Sequence, residues 1–122
     1  MRLSLLIVLV SIVAVTVSTA RAQQPPRLLF EISVDGSLVA RPELRVPLGG
    51  EGRIELDERH GQVRVTFRPS ARSDDLVIAF DITDGDRRFR PNLVITRTVP
   101  GLIEWTSSAQ GQTIRLAVSW LQ

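Results

Sequence analysis

Cysteine, lysine and tyrosine are all missing from this chain of 122 residues, and histidine occurs once. With no thiol there is no disulfide, no thiolate metal site and no cysteine nucleophile, and with no lysine there is no Schiff-base chemistry. Stability must then come from an apolar core, and a hundred or so residues suit a single domain. Aromatic residues are scarce too, two Trp and four Phe. That scarcity, together with apolar-polar alternations of only five to eight residues, argues against an outer-membrane barrel, whose strands need about 9–11 residues and girdles of aromatic side chains.

A long apolar run occurs once, at the start. MRLSLLIVLVSIVAVTVSTARA carries Arg2, an apolar stretch from Leu3 to about Val17, and small residues at Ala20 and Ala22. This is the layout of a secretory signal peptide over residues 1–22, cleaved after Ala20-Arg21-Ala22. A retained membrane anchor is the alternative, since a spanning helix needs about 20 apolar residues. Residues 23–27, with Pro25-Pro26, read as an extended leader because proline excludes helix there. Cleavage also changes the charge. The fifteen cationic residues are all arginine, and losing Arg2 and Arg21 leaves thirteen against thirteen carboxylates. A near-neutral mature chain gives no general basis for nucleic-acid or anionic-lipid binding. The expected compartment is periplasmic or secreted, with no membrane span after cleavage.

What the mature chain does contain is internal similarity. FEISVDGSLVARPELRV at 30–46 and FDITDGDRRFRPNLVI at 80–95 share F-x-I, then D-G, then P-x-L. At a shift of 49, Asp35, Gly36, Arg41, Pro42, Leu44, Gly52, Ile54 and Glu55 meet Asp84, Gly85, Arg90, Pro91, Leu93, Gly101, Ile103 and Glu104. Chance would supply roughly one or two such identities over a stretch of this length. Two tandem units, 28–69 and 78–122, are therefore expected within one domain at 28–122.

The repeat bears on the second unit's crowd of carboxylates, Asp81, Asp84 and Asp86. A calcium loop needs six to eight oxygens, and the first unit has Asp35-Gly36 with no acidic counterpart to Asp81 or Asp86. Both Asp-Gly pairs read instead as two-residue type I′ hairpin turns. Closure at Asp84-Gly85 would set Phe80 opposite Phe89 and Asp81 opposite Arg88.

Alternation with period two runs through Phe30-Ile32-Val34, Val63-Val65-Phe67 and Ile114-Leu116-Val118-Trp120, separated by Gly- and Pro-rich turns. The expected fold is all-β: a single β-sandwich, or small barrel, of about eight short strands built from two tandem repeats. The cassette RPELRVPLGGEGRIEL is similar, over sixteen residues, to strand-turn-strand segments of the secretin pores of bacterial secretion systems. Its Pro, Leu and Gly pattern is of low specificity and implies that local element only.

Chemistry-bearing groups are sparse. His60 stands alone in a turn, and one imidazole with carboxylates makes a poor zinc set, so neither a catalytic residue, a metal nor a cofactor is expected. Glu55 and Glu104 hold equivalent positions and invite comparison with a glycosidase pair, yet alternation alone accounts for them as outward residues. Trp105 and Trp120 fall on inward phases and are expected in the core. Arg87, Arg88 and Arg90 are the candidate binding residues, set against pairing with the aspartates of their own hairpin. The expected function is a non-enzymatic exported domain mediating protein-protein interaction or assembly in the bacterial cell envelope, with an envelope protein as partner. The alternative is a small carbohydrate- or anion-binding module using the Arg87/Arg88/Arg90 hairpin.

Overall fold

A computed structural model describes residues 7–13, 24–58, 61–107 and 111–121. The expected cleavage site at Ala20-Arg21-Ala22 and the lone His60 lie outside the described residues. Those that are described form strands and turns only: β1 (Ile7–Val13), β2 (Arg27–Val34), β3 (Ser37–Ala40), β4 (Glu43–Arg45), β5 (Glu51–Glu58), β6 (Gly61–Arg72), β7 (Asp75–Asp84), β8 (Arg87–Phe89), β9 (Asn92–Ile95), β10 (Gly101–Thr106) and β11 (Thr113–Leu121). No helix among them is long and apolar enough to cross a membrane.

Two antiparallel sheets share one core. The first runs β1-β5-β6-β7, with β8 and β9 end to end along the far side of β7; the second runs β10-β11-β2, with β3 and β4 end to end along β2. The alternation read from the sequence becomes the inner lining of each sheet. Leu28, Phe30 and Ile32 of β2 and Ile114, Leu116 and Val118 of β11 face Val63, Val65 and Phe67 of β6 and Leu76, Ile78, Phe80 and Ile82 of β7, all buried. Phe30 and Phe67 meet across the sandwich with ring centroids 4.6 Å apart.

The strand count exceeds the expected eight because the apolar N-terminal run supplies β1 and the partner strand of each Asp-Gly hairpin is broken in two. Both breaks fall at proline. Arg41-Pro42 separates β3 from β4 and Arg90-Pro91 separates β8 from β9. A proline has no amide to add to the ladder, but its carbonyl still accepts: Phe30 N–H bonds Pro42 O and Phe80 N–H bonds Pro91 O, each at 2.9 Å.

The two Asp-Gly hairpins differ, contrary to expectation. In the first, Val34 pairs Ser37, so Asp35-Gly36 is the two-residue loop. Both have positive φ, 51° and 83°, as a type I′ turn requires. A bulge then follows between Ile32 and Ser33. In the second, Asp84 pairs Arg87, so the loop is Gly85-Asp86, with only Gly85 at positive φ. That is the pattern of a type II′ turn, which wants glycine first. The register consequently shifts: Phe89 lies opposite Ile82 rather than Phe80, and Arg88 opposite Thr83 rather than Asp81. Leu93 likewise departs from its expected counterpart: Leu44 is buried, whereas Leu93 is half-buried.

Candidate functional site

Asp84 explains the shifted hairpin. As the last residue of β7 it shares the inward phase of Phe80 and Ile82 and is fully buried. Its carboxylate accepts Trp105 Nε1–H at 2.8 Å and the Ser107 hydroxyl at 3.4 Å, with Arg87 Nη2 3.9 Å away. A carboxylate drawn inward by β10 cannot also occupy the loop, so the turn forms one residue later. Replacing Asp84 by Ala removes the acceptor that the indole N–H and the Ser107 hydroxyl share. The expected loss is roughly 2–4 kcal/mol in denaturant unfolding, with a smaller loss for Asp84→Asn, which keeps an acceptor.

The three arginines proposed as a binding cluster are already engaged. Arg88 grips Asp81 through two bonds, Nε to Oδ1 at 2.9 Å and Nη2 to Oδ2 at 2.6 Å. Arg90 Nε approaches the same carboxylate at 3.7 Å. Arg87 donates to the Thr106 carbonyl. The Asp81–Arg88 pair expected from the sequence thus exists, but as a diagonal contact between positions two apart in register. The Arg88 hydrogen bond, helped by the charges of Arg88 and Arg90, holds the Asp81 carboxyl below its usual value. Its contribution to folding is therefore present above the unfolded carboxyl's pKa and is lost as pH falls through the folded one; solvent exposure keeps it small.

Glu55 and Glu104 are separated by the sandwich. Glu55 lies on the outer face of the first sheet, 3.4 Å from Arg64 and 3.8 Å from Arg53. Glu104 stands opposite Arg115 on the second sheet and points to solvent. They form no catalytic pair. The tryptophans are half-buried rather than fully in the core. Trp105 packs edge-on against Phe89 at 5.3 Å, and Trp120 carries the Arg97 guanidinium 4.3 Å from its ring centre. Trp120 and Arg97 lie on an open cleft of about 950 Å³, whose rim mixes Arg27 and Arg45 with Asp74 and Asp75.

The remaining candidate is β5 and its pairing with β1 rather than a pocket. β5 pairs on one side with β6, from Gly52↔Phe67 to Glu58↔Gly61. On its other side stands β1, in register from Ile7↔Asp57 to Val13↔Glu51. Gly52, Ile54 and Leu56 of β5 face the core, and Glu51, Arg53 and Glu55 alternate on the outer face. Gly52 is glycine for a local reason. The Phe67 ring lies so close over it that an added Cβ would sit 2.2 Å from Cζ. Along the outer face Arg68 approaches Glu51 at 3.7 Å, while Arg53 Nε is shielded from solvent without a hydrogen-bond partner among the described residues.

No protein-family model, curated protein or solved structure matches the chain. The functional reading therefore stands on the β1–β5 pairing just described. Sequence reasoning missed three tertiary features of the molecule. The β1–β5 pairing was hidden because an apolar run reads as leader or anchor before it reads as a strand. The Asp84–Trp105–Ser107 cluster joins residues more than twenty positions apart, and the Arg97–Trp120 stack joins a loop to the last strand. None of these leaves a local spacing signal.

Proposed function

We propose that this protein is an exported, non-enzymatic β-sandwich built from a tandem repeat, and that it binds a protein of the cell envelope by strand addition at β5. The observation that carries this reading is the occupant of that edge. β1 is drawn from the middle of the apolar run that has the layout of a signal peptide, so its removal uncovers an eight-residue strand, EGRIELDE. An uncovered edge offers a row of free backbone donors and acceptors to an incoming strand. The core lies between Leu28 and Val118, which supports a domain that keeps its packing when the leader is gone. The arginine hairpin supports the carbohydrate or anion reading less well, because Arg88 and Arg90 share Asp81 and Arg87 is tied to Asp84 and Thr106.

Amide hydrogen exchange tests the proposal. Alternate β5 amides should be protected in the chain that retains residues 1–22 and should exchange faster in dilute processed protein. A peptide carrying IVLVSIV between solubilising lysines should restore their protection. Unchanged β5 exchange between the two forms, or a peptide that leaves it unaltered, would exclude strand addition at this edge.

A further inference from the structure

We infer that the strand added at β5 is β5 of a second copy, so that the processed protein is a two-fold dimer whose first sheets join edge to edge. This rests on the proposal that processing frees that edge, and it names the partner. The first observation is self-complementarity. Two β5 strands paired antiparallel about Ile54 place Arg53 opposite Glu55 of the second copy, and Glu55 opposite its Arg53. On the core-facing side the same register puts Gly52, over which the Phe67 ring already lies, opposite Leu56, so the complementarity rests on the charged outer face. An isologous contact requires a patch that complements itself, and opposite charges directly across a strand pair are favourable. Glu51 and Asp57 would meet as like charges at the ends, which confines the pairing to Gly52–Leu56.

The second observation is Arg53 itself. Its Nε is buried without a hydrogen-bond partner among the described residues while β1 covers the edge, and the residue at the facing register position in β1 is Ser11. A second β5 brings a carboxylate to that position. It also completes an outer-face row. Glu55 lies opposite Arg64 on β6, and Arg53 opposite Thr66. With the second copy in place Glu55 is flanked by an arginine on each side.

The comparison with β10 shows that not every edge here is built this way. β10 pairs with β11 and has no second strand partner among the described residues. Where β5 has Arg53, Ile54 and Glu55, β10 has Leu102, Ile103 and Glu104. Two β10 strands centred on Ile103 would set leucine against glutamate, with no charge pairing. The complementarity is specific to β5.

Sedimentation equilibrium on the exported, processed protein is the test, with two charge reversals. Arg53→Glu sets glutamate against glutamate across the two-fold, and Glu55→Arg sets arginine against arginine. Each variant should dissociate at least about tenfold more readily than the unaltered protein, since two favourable pairs become two unfavourable ones. Mixed in equal amounts, the two variants should associate with each other, because the heterodimer restores both pairs. No intramolecular effect of either substitution yields that rescue. Should either variant fold poorly, the unaltered protein still decides: β5 amide protection should rise with protein concentration. A processed protein that stays monomeric with β5 protection independent of concentration, or a mixture that associates no better than its components, overturns the dimer. If that monomer nevertheless binds the IVLVSIV peptide at β5, strand addition stands and only the second copy fails as its partner; if it does not, both readings fail together.

Discussion

Residues 23–72 and 73–122, expressed separately, should each lack a cooperative thermal transition, and mixing them should restore one. The reason lies in how the strands are distributed. The first half contributes β2, β3 and β4 to one sheet and β5 and β6 to the other; the second half contributes β7, β8 and β9 to the sheet of β5 and β6, and β10 and β11 to the sheet of β2. A cut between Arg72 and Ser73 therefore severs the β6–β7 hairpin, paired from Val63↔Asp84 to Arg72↔Asp75, and removes β11 from β2, paired from Ile114↔Val34 to Leu121↔Arg27. Each fragment retains two small strand groups in different sheets, each stripped of its hydrogen-bonded neighbours from the other half, so that the inner faces are only partly covered. At about fifty residues without disulfide or metal, such a fragment does not bury enough apolar surface to offset its chain entropy. Far-UV circular dichroism and thermal melting of each fragment, alone and mixed, give the answer. A fragment that melts cooperatively as a monomer would show that its half carries a core of its own.

Truncating Phe67 to Ala should cost roughly 3–5 kcal/mol, a large share of the roughly 5–15 kcal/mol by which domains are usually stable. Phe67 is buried at the centre of the sandwich. Its ring centroid lies 4.6 Å from that of Phe30 in the opposite sheet and 6.3 Å from that of Phe80 on the neighbouring strand. The same ring lies over Gly52. Gly52→Ala would thrust a methyl into it and should cost about 1–3 kcal/mol by overpacking. The two changes should not add. With Phe67 already truncated, a methyl at position 52 enters the space the ring has left, so the double variant should be less destabilised than the sum of the singles. Urea unfolding of the three variants against the unaltered protein measures all of this. Strict additivity would mean that the ring and Gly52 do not meet.

Much of this architecture was legible in the amino-acid order because β-structure writes its inward face at every second residue. Phe30-Ile32-Val34 and Ile114-Leu116-Val118 announce their own burial wherever their strands end up. Asp35-Gly36 formed the turn that its residues prefer. Tertiary structure alone decided what alternation leaves open, namely which strand lies beside which. It also decided which of two adjacent residues closes a turn. Asp84-Gly85 has the same local chemistry as Asp35-Gly36, yet its aspartate is drawn inward by an indole N–H on β10, and the loop moves to Gly85-Asp86. The candidate site was concealed for the same reason. Arg53 and Glu55 read as ordinary outward charges until the pairing of β1 sets them beside a strand from the apolar N-terminal run, because strand neighbours are a property of the assembled sheet and a single strand carries no mark of them.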